Sequence, residues 1–178
     1  MQRETHRTLG RFPRIHPVVL CFWPTANLLE QIDGKRDLKA LAVVPWLEEE
    51  IATWRQARGA IDLLGRHPVP DAPKIDDPVV EAAMRSLTTI VNLSTGVGHP
   101  RDRSMAIHAF RILKRNGHGY RPDEIRAWAM ANGWAADDAR ELSEYAAGVL
   151  EGKAYRAGRS MWKQQIIRSW RRDAAKGA

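Results

Sequence analysis

From Pro17 onward, unbroken apolar runs alternate with stretches whose apolar residues recur at helical spacing. Val18 to Trp23 has no polar alternation, the pattern of a strand covered on both faces. Pro24-Thr25 then opens a short helix with Thr25 as cap and Leu28, Leu29 and Ile32 inward. A second strand is expected over Leu38 to Val44, stopped by Pro45. A second helix follows from Leu47 to Arg58, with Leu47, Ile51 and Trp54 on one side, Glu48, Glu49 and Glu50 in its first turn, and Gly59 as its stop. Ala60 to Leu64 is the candidate third strand, which makes residues 18–64 a small βαβαβ unit, Rossmann-like, with three parallel strands.

Three prolines in the nine residues Gly65 to Pro73 predict an extended connector, placed at 65–75. Beyond it the pattern is helical throughout. Asp77 followed by Pro78 is a strong helix start, and Val80, Ala83, Met84, Leu87 and Val91 share its inner face. His99-Pro100 and Pro122 open two more helices, which Asn116-Gly117 and Asn132-Gly133 end. A further helix spans about Ala136 to Glu151. Residues 76–152 therefore read as an all-α helical bundle.

The charge changes this picture. The net +7 is unevenly placed: residues 1–17 carry four arginines against one glutamate, and residues 153–178 carry eight bases against one acid, while the body between them is mildly acidic. Residues 1–17 read as a basic flexible arm. Residues 153–178 read as a basic C-terminal helix and tail, in which Trp162, Ile166, Ile167 and Trp170 fall on one arc and arginines on the other. Docking through the tryptophans leaves Lys163, Arg168, Arg171 and Arg172 outward, where they are the candidate nucleic-acid contacts.

The longest apolar run, Ala40 to Leu47, falls far short of the roughly 18 residues a membrane span needs. Val18 to Trp23 is too short for the core of a signal peptide. A single cysteine, Cys21, excludes an internal disulfide framework and points to a reducing, cytoplasmic setting.

The segment richest in chemistry is Ser94, Thr95, Gly96, Gly98, His99, Arg101 and Arg103, which gathers hydroxyls, glycines and arginines around one helix start. That suits an anion such as a phosphate group, although a tight glycine turn capped by Ser94 or Thr95 is the favoured reading. It lacks the Gly-Lys-Ser/Thr of a phosphate-binding loop, and the turns after the two strands carry proline where a dinucleotide site needs glycine, so no cofactor is expected. His99, His108 and His118 have no metal-ligand spacing, and no metal is expected. Trp128 to Leu142 matches helix-turn-helix spacing only loosely, and Asp137, Asp138, Glu141 and Glu144 would set carboxylates against phosphates. The expected function is a non-enzymatic binding protein that contacts nucleic acid or a nucleoprotein partner through its basic ends. The alternatives are an enzyme or sensor for a phosphorylated small molecule using the Ser94 to Arg103 loop, and a protein adaptor using Trp23, Trp46 and the acidic helix face.

Overall fold

A computed structural model describes residues 17–33, 35, 37–66, 71–93, 95–163 and 165–177. The expected arm at 1–17 lies outside these but for Pro17, as do the middle of the connector, 67–70, and Ser94. The chain divides into two compact units between Asp71 and Ala72, with Ala135–Asp137 counted with the first.

In the first unit, β1 (Val18–Phe22) and β2 (Ala40–Val44) pair in parallel, from Val18 opposite Ala40 to Phe22 opposite Val44. Parallel neighbours need a crossover, and α1 (Ala26–Asp33) supplies it, capped where the Leu28 N–H donates to Thr25 Oγ1 at 3.3 Å. Cys21 and Ile32 form a small core with Val19, Leu28, Leu38 and Leu41. Next, α2 (Glu48–Arg58) is fastened to the end of α1 by Arg58, whose Nε donates to Asp33 Oδ2 at 2.9 Å. Leu47, expected to face inward, is exposed and stands as the N-cap position of α2.

The three-stranded Rossmann-like unit is not there: the sheet has two strands. Residues 60–64 form a turn because Asp62 takes the backbone groups a strand would need. Its carboxylate accepts from the N–H of Leu64 and of Arg66, both at 2.9 Å, and its carbonyl accepts from Gly65 N–H. Ile61, Leu63 and Leu64, the apolar residues that suggested a strand, are exposed. The described residues are thus mostly helical, with only this two-stranded parallel sheet.

The second unit holds α3 (Pro78–Ile90), α4 (Pro100–Arg115), α5 (Pro122–Ala131), α6 (Ala136–Leu150) and α7 (Ile166–Gly177). Asp77 caps α3, accepting from Val79 N–H at 2.8 Å and Val80 N–H at 3.4 Å, with Pro78 in the first turn. One device ends both α4 and α5: the Asn116 and Asn132 side-chain amides each donate at 2.8 Å to a carbonyl of the last turn, Ile112 and Trp128 respectively. The core gathers Val80, Met84, Leu87, Ile107, Phe110, Leu113, Ile125, Met130, Trp134 and Leu142. Its buried indole and phenol groups find partners, Trp134 Nε1 donating to Thr88 Oγ1 at 2.9 Å and Tyr120 Oη to the Phe110 carbonyl at 3.3 Å. Burial raises the Tyr120 hydroxyl pKa, so it stays a donor.

The C-terminal helix docks. α7 packs along α3, and Trp170 is fully buried with its Nε1 donating to Ser86 Oγ at 3.1 Å. Trp162 Nε1 donates to the Met105 carbonyl at 2.9 Å, and the two indoles meet edge to face at 5.3 Å. Trp170 on the helix and Trp162 just before it, with Ile166 and Ile167 half-buried, hold α7 in place, and its bases are left outward.

Candidate functional site

Two groups of bases lie on the second unit. The first is the outer side of α7 and the segment before it, where Lys163, Arg168, Arg171 and Arg172 are all exposed. Arg168 Nη1 donates to Gln165 Oε1 at 3.1 Å, and Arg172 stands 4.0 Å from Asp173, so local contacts spread these side chains without burying them. The second group surrounds an open depression of about 550 Å3 lined by Arg111, Lys114, Arg115, Lys153 and the end of α6. Two of these bases have structural partners. Lys114 Nζ donates to the Val149 and Leu150 carbonyls, both at 2.9 Å, neutralising the C-terminal end of α6. Arg111 Nη2 donates to the Tyr155 carbonyl at 3.1 Å. Lys153 lies 5.5 Å from the Tyr155 ring centre, and Arg115 is exposed.

His118 meets α7 from just past the end of α4. It follows the end of α4, its Nδ1 is 2.8 Å from Asp77 Oδ2, and its Nε2 is 3.5 Å from an Arg171 nitrogen. With the ring neutral, Nδ1–H donates to the carboxylate and Nε2 faces the guanidinium, so one residue ties the cap of α3, the end of α4 and α7 together. Partial burial alone would raise the Asp77 pKa. The His118 hydrogen bond and the Val79 and Val80 N–H groups outweigh it and hold the carboxyl below its ordinary value.

The Thr95 to Arg103 segment satisfies several of its polar groups within the chain, while Thr95, Gly98, His99 and Arg101 stay exposed. A Cβ at Gly96, whose φ is +52°, would overlap the Asp138 carboxylate, so the loop has the chain's own acid against its backbone. Thr95 Oγ1 donates to the Asn92 carbonyl at 3.2 Å, and His99 Nδ1 accepts from Arg101 N–H at 3.3 Å as the cap of α4. Arg101 Nε lies 3.4 Å from Met161 Sδ, while Arg103 bonds Tyr145. Burial and the donated bond to Glu141 Oε1, 2.5 Å away, push the Tyr145 hydroxyl pKa up to about 12 against the opposing Arg103. Gly98 is exposed, and Asp102 is buried with Oδ1 lacking a hydrogen-bond partner.

Sequence reasoning singled out the α7 bases but missed Arg111, Lys114, Arg115, Lys153 and His118. The legible signal was Lys114-Arg115 in the last turn of a helix, where bases complement the dipole. Their gathering with Lys153 depends on two helix ends meeting. Among the described residues no group of three or more His, Cys, Asp or Glu could hold a metal ion, and no helix is long and apolar enough to cross a membrane.

Residues 76–171 match the family described as Domain of unknown function (DUF1889). No curated protein and no solved structure matches the chain.

Proposed function

The chain belongs to the DUF1889 family, and from the surface of the matched region we propose that it is a non-enzymatic protein of a reducing compartment such as the cytoplasm, binding the phosphate backbone of nucleic acid or a nucleoprotein. The observation that carries this reading is the set of exposed bases Lys163, Arg168, Arg171 and Arg172 on and before the docked α7. Phosphates spaced along a strand need cations spaced along a surface, on side chains long enough to follow them. Lys163, Arg168, Arg171 and Arg172 meet that need because Trp162 and Trp170 hold their scaffold and leave the charges in solvent, and Arg115 and Lys153 are likewise exposed. No base-reading residue is assigned, so binding is independent of sequence.

The test is titration of duplexes of unrelated sequence across a range of salt. Changing Lys163, Arg168, Arg171 and Arg172 together to glutamine weakens binding to all of them alike and flattens the salt slope by up to about 3 to 4, at about 0.9 per phosphate contact. Adding Arg115→Gln and Lys153→Gln flattens it further. A parent that fails to bind, or a quadruple variant that binds like the parent, overturns the proposal and leaves the protein-adaptor reading.

A further inference from the structure

Among the described residues, the first unit carries an exposed apolar face. In β1 the side chains of Val19 and Cys21 go to the small core, while Val18, Leu20 and Phe22 alternate onto the other side. The register puts Ala40, Ala42 and Val44 of β2 beside them. All six are apolar. At the carboxyl end of the strands the face continues into Trp23 and Trp46, whose rings meet edge to face at 5.8 Å, and into Leu47. Trp23 holds a left-handed backbone, φ +51°, a conformation that costs a non-glycine residue about 1–2 kcal/mol. Its N–H nevertheless donates to the Val44 carbonyl at 2.7 Å, which fixes the indole at the rim.

We propose that this face is the interface of a homodimer, covered by a second copy of the chain packed sheet against sheet. Parallel sheets occur with both faces covered, and among the described residues of the first unit the helix α1 covers the Val19 and Cys21 side while Val18, Leu20 and Phe22 are exposed. Val18, Leu20 and Phe22 are 65%, 49% and 56% exposed, Val44 41%, and Trp23, Trp46 and Leu47 63%, 72% and 50%. At ordinary side-chain areas these exposures leave on the order of 700 Å2 of mostly apolar surface, close to the roughly 800 Å2 per partner of a stable interface. The strand face bears no charge to select an unlike partner. An uncharged face of this size is self-complementary across a two-fold axis, where each residue is used twice.

Sedimentation velocity of the full chain from about 1 to 100 μM, without nucleic acid and in 0.5 M salt, tests this apart from the phosphate-binding reading. A dimer is expected. Leu20→Glu raises its dissociation constant at least about 100-fold, because two carboxylates would be buried in the same interface. Trp46→Glu does the same from a position outside every helix and strand, so it serves if Leu20→Glu fails to fold by circular dichroism. A parent that is monomeric throughout this range overturns the proposal. So does a folded variant that associates as tightly as the parent, since the interface then lies elsewhere.

Discussion

Asp77 does two things that a single substitution can separate. Asparagine caps a helix about as well as aspartate, so Asp77→Asn keeps the α3 cap made by Oδ1 but removes the charge facing His118 and puts an amide NH2 where Oδ2 accepted from it. The folded carboxyl has a lowered pKa, so its extra stability is complete above the ordinary aspartate value of about 3.9 and is lost as pH falls through the folded value. The melting difference between parent and Asp77→Asn is therefore widest near neutral pH and closes in acid. Thermal melts across that range check it, and a constant difference would show that the charge is not involved. Gly96 supplies a second test. Gly96→Ala places a methyl group against Asp138 and holds alanine at φ +52°, a combined cost of about 1–2 kcal/mol or more. Combining it with Asp138→Ala relieves the overlap but not the backbone term. Chemical denaturation of the two single variants and the double variant should therefore show favourable coupling between the sites.

What decides whether a helix docks is the content of its buried side, and α7 shows how little can suffice. Most of its residues are charged or small, yet Trp170 is wholly buried and hydrogen-bonded to Ser86, with Trp162 against it. Trp170→Ala is expected to cost about 3–5 kcal/mol and to release α7 from α3. Trp170→Phe keeps much of the packing and loses the Ser86 bond, a cost of about 1 kcal/mol plus a small void. Hydrogen exchange along residues 166–176 distinguishes the two: fast exchange in the alanine variant, protection largely kept in the phenylalanine one. The docking was legible in advance from two tryptophans and two isoleucines set among bases, but the helix begins only at Ile166, so Trp162 packs from the segment before it and not from an arc of the helix. The third strand was misread because Ile61, Leu63 and Leu64 make an apolar run, while the decisive group is the carboxylate between them, whose bonds to Leu64 and Arg66 close the turn.

Stability is unequally shared along the chain. Of the largest fully buried side chains, Leu29 alone comes from the first unit, and Trp134, Trp170, Phe110 and the rest belong to the second. A fragment spanning 72–178 is accordingly expected to melt cooperatively by itself. One spanning 17–71, with a two-stranded sheet and a handful of core residues, is not. The longer fragment keeps the bases assigned to phosphate contact and loses the apolar sheet face, so it should bind duplexes while sedimenting as a monomer at every concentration. A dimeric fragment would contradict the assignment of the interface to β1 and β2.

Composition and spacing sufficed for the helices of the second unit, since their starts and stops are local events. Asp77-Pro78, Asn116 and Asn132 satisfy backbone groups within a turn of themselves, and such bonds need no distant partner. Strand pairing and surface chemistry are long-range. The same apolar run can be a ladder strand or a turn depending on what competes for its N–H groups, as Asp62 shows. The glycine-and-arginine segment around Gly96 meets Asp138 of α6, a neighbour distant along the chain that no local spacing announces. His118, silent in the sequence, becomes the junction of three elements because Asp77 and Arg171, 41 and 53 residues away along the chain, are folded onto its two ring nitrogens.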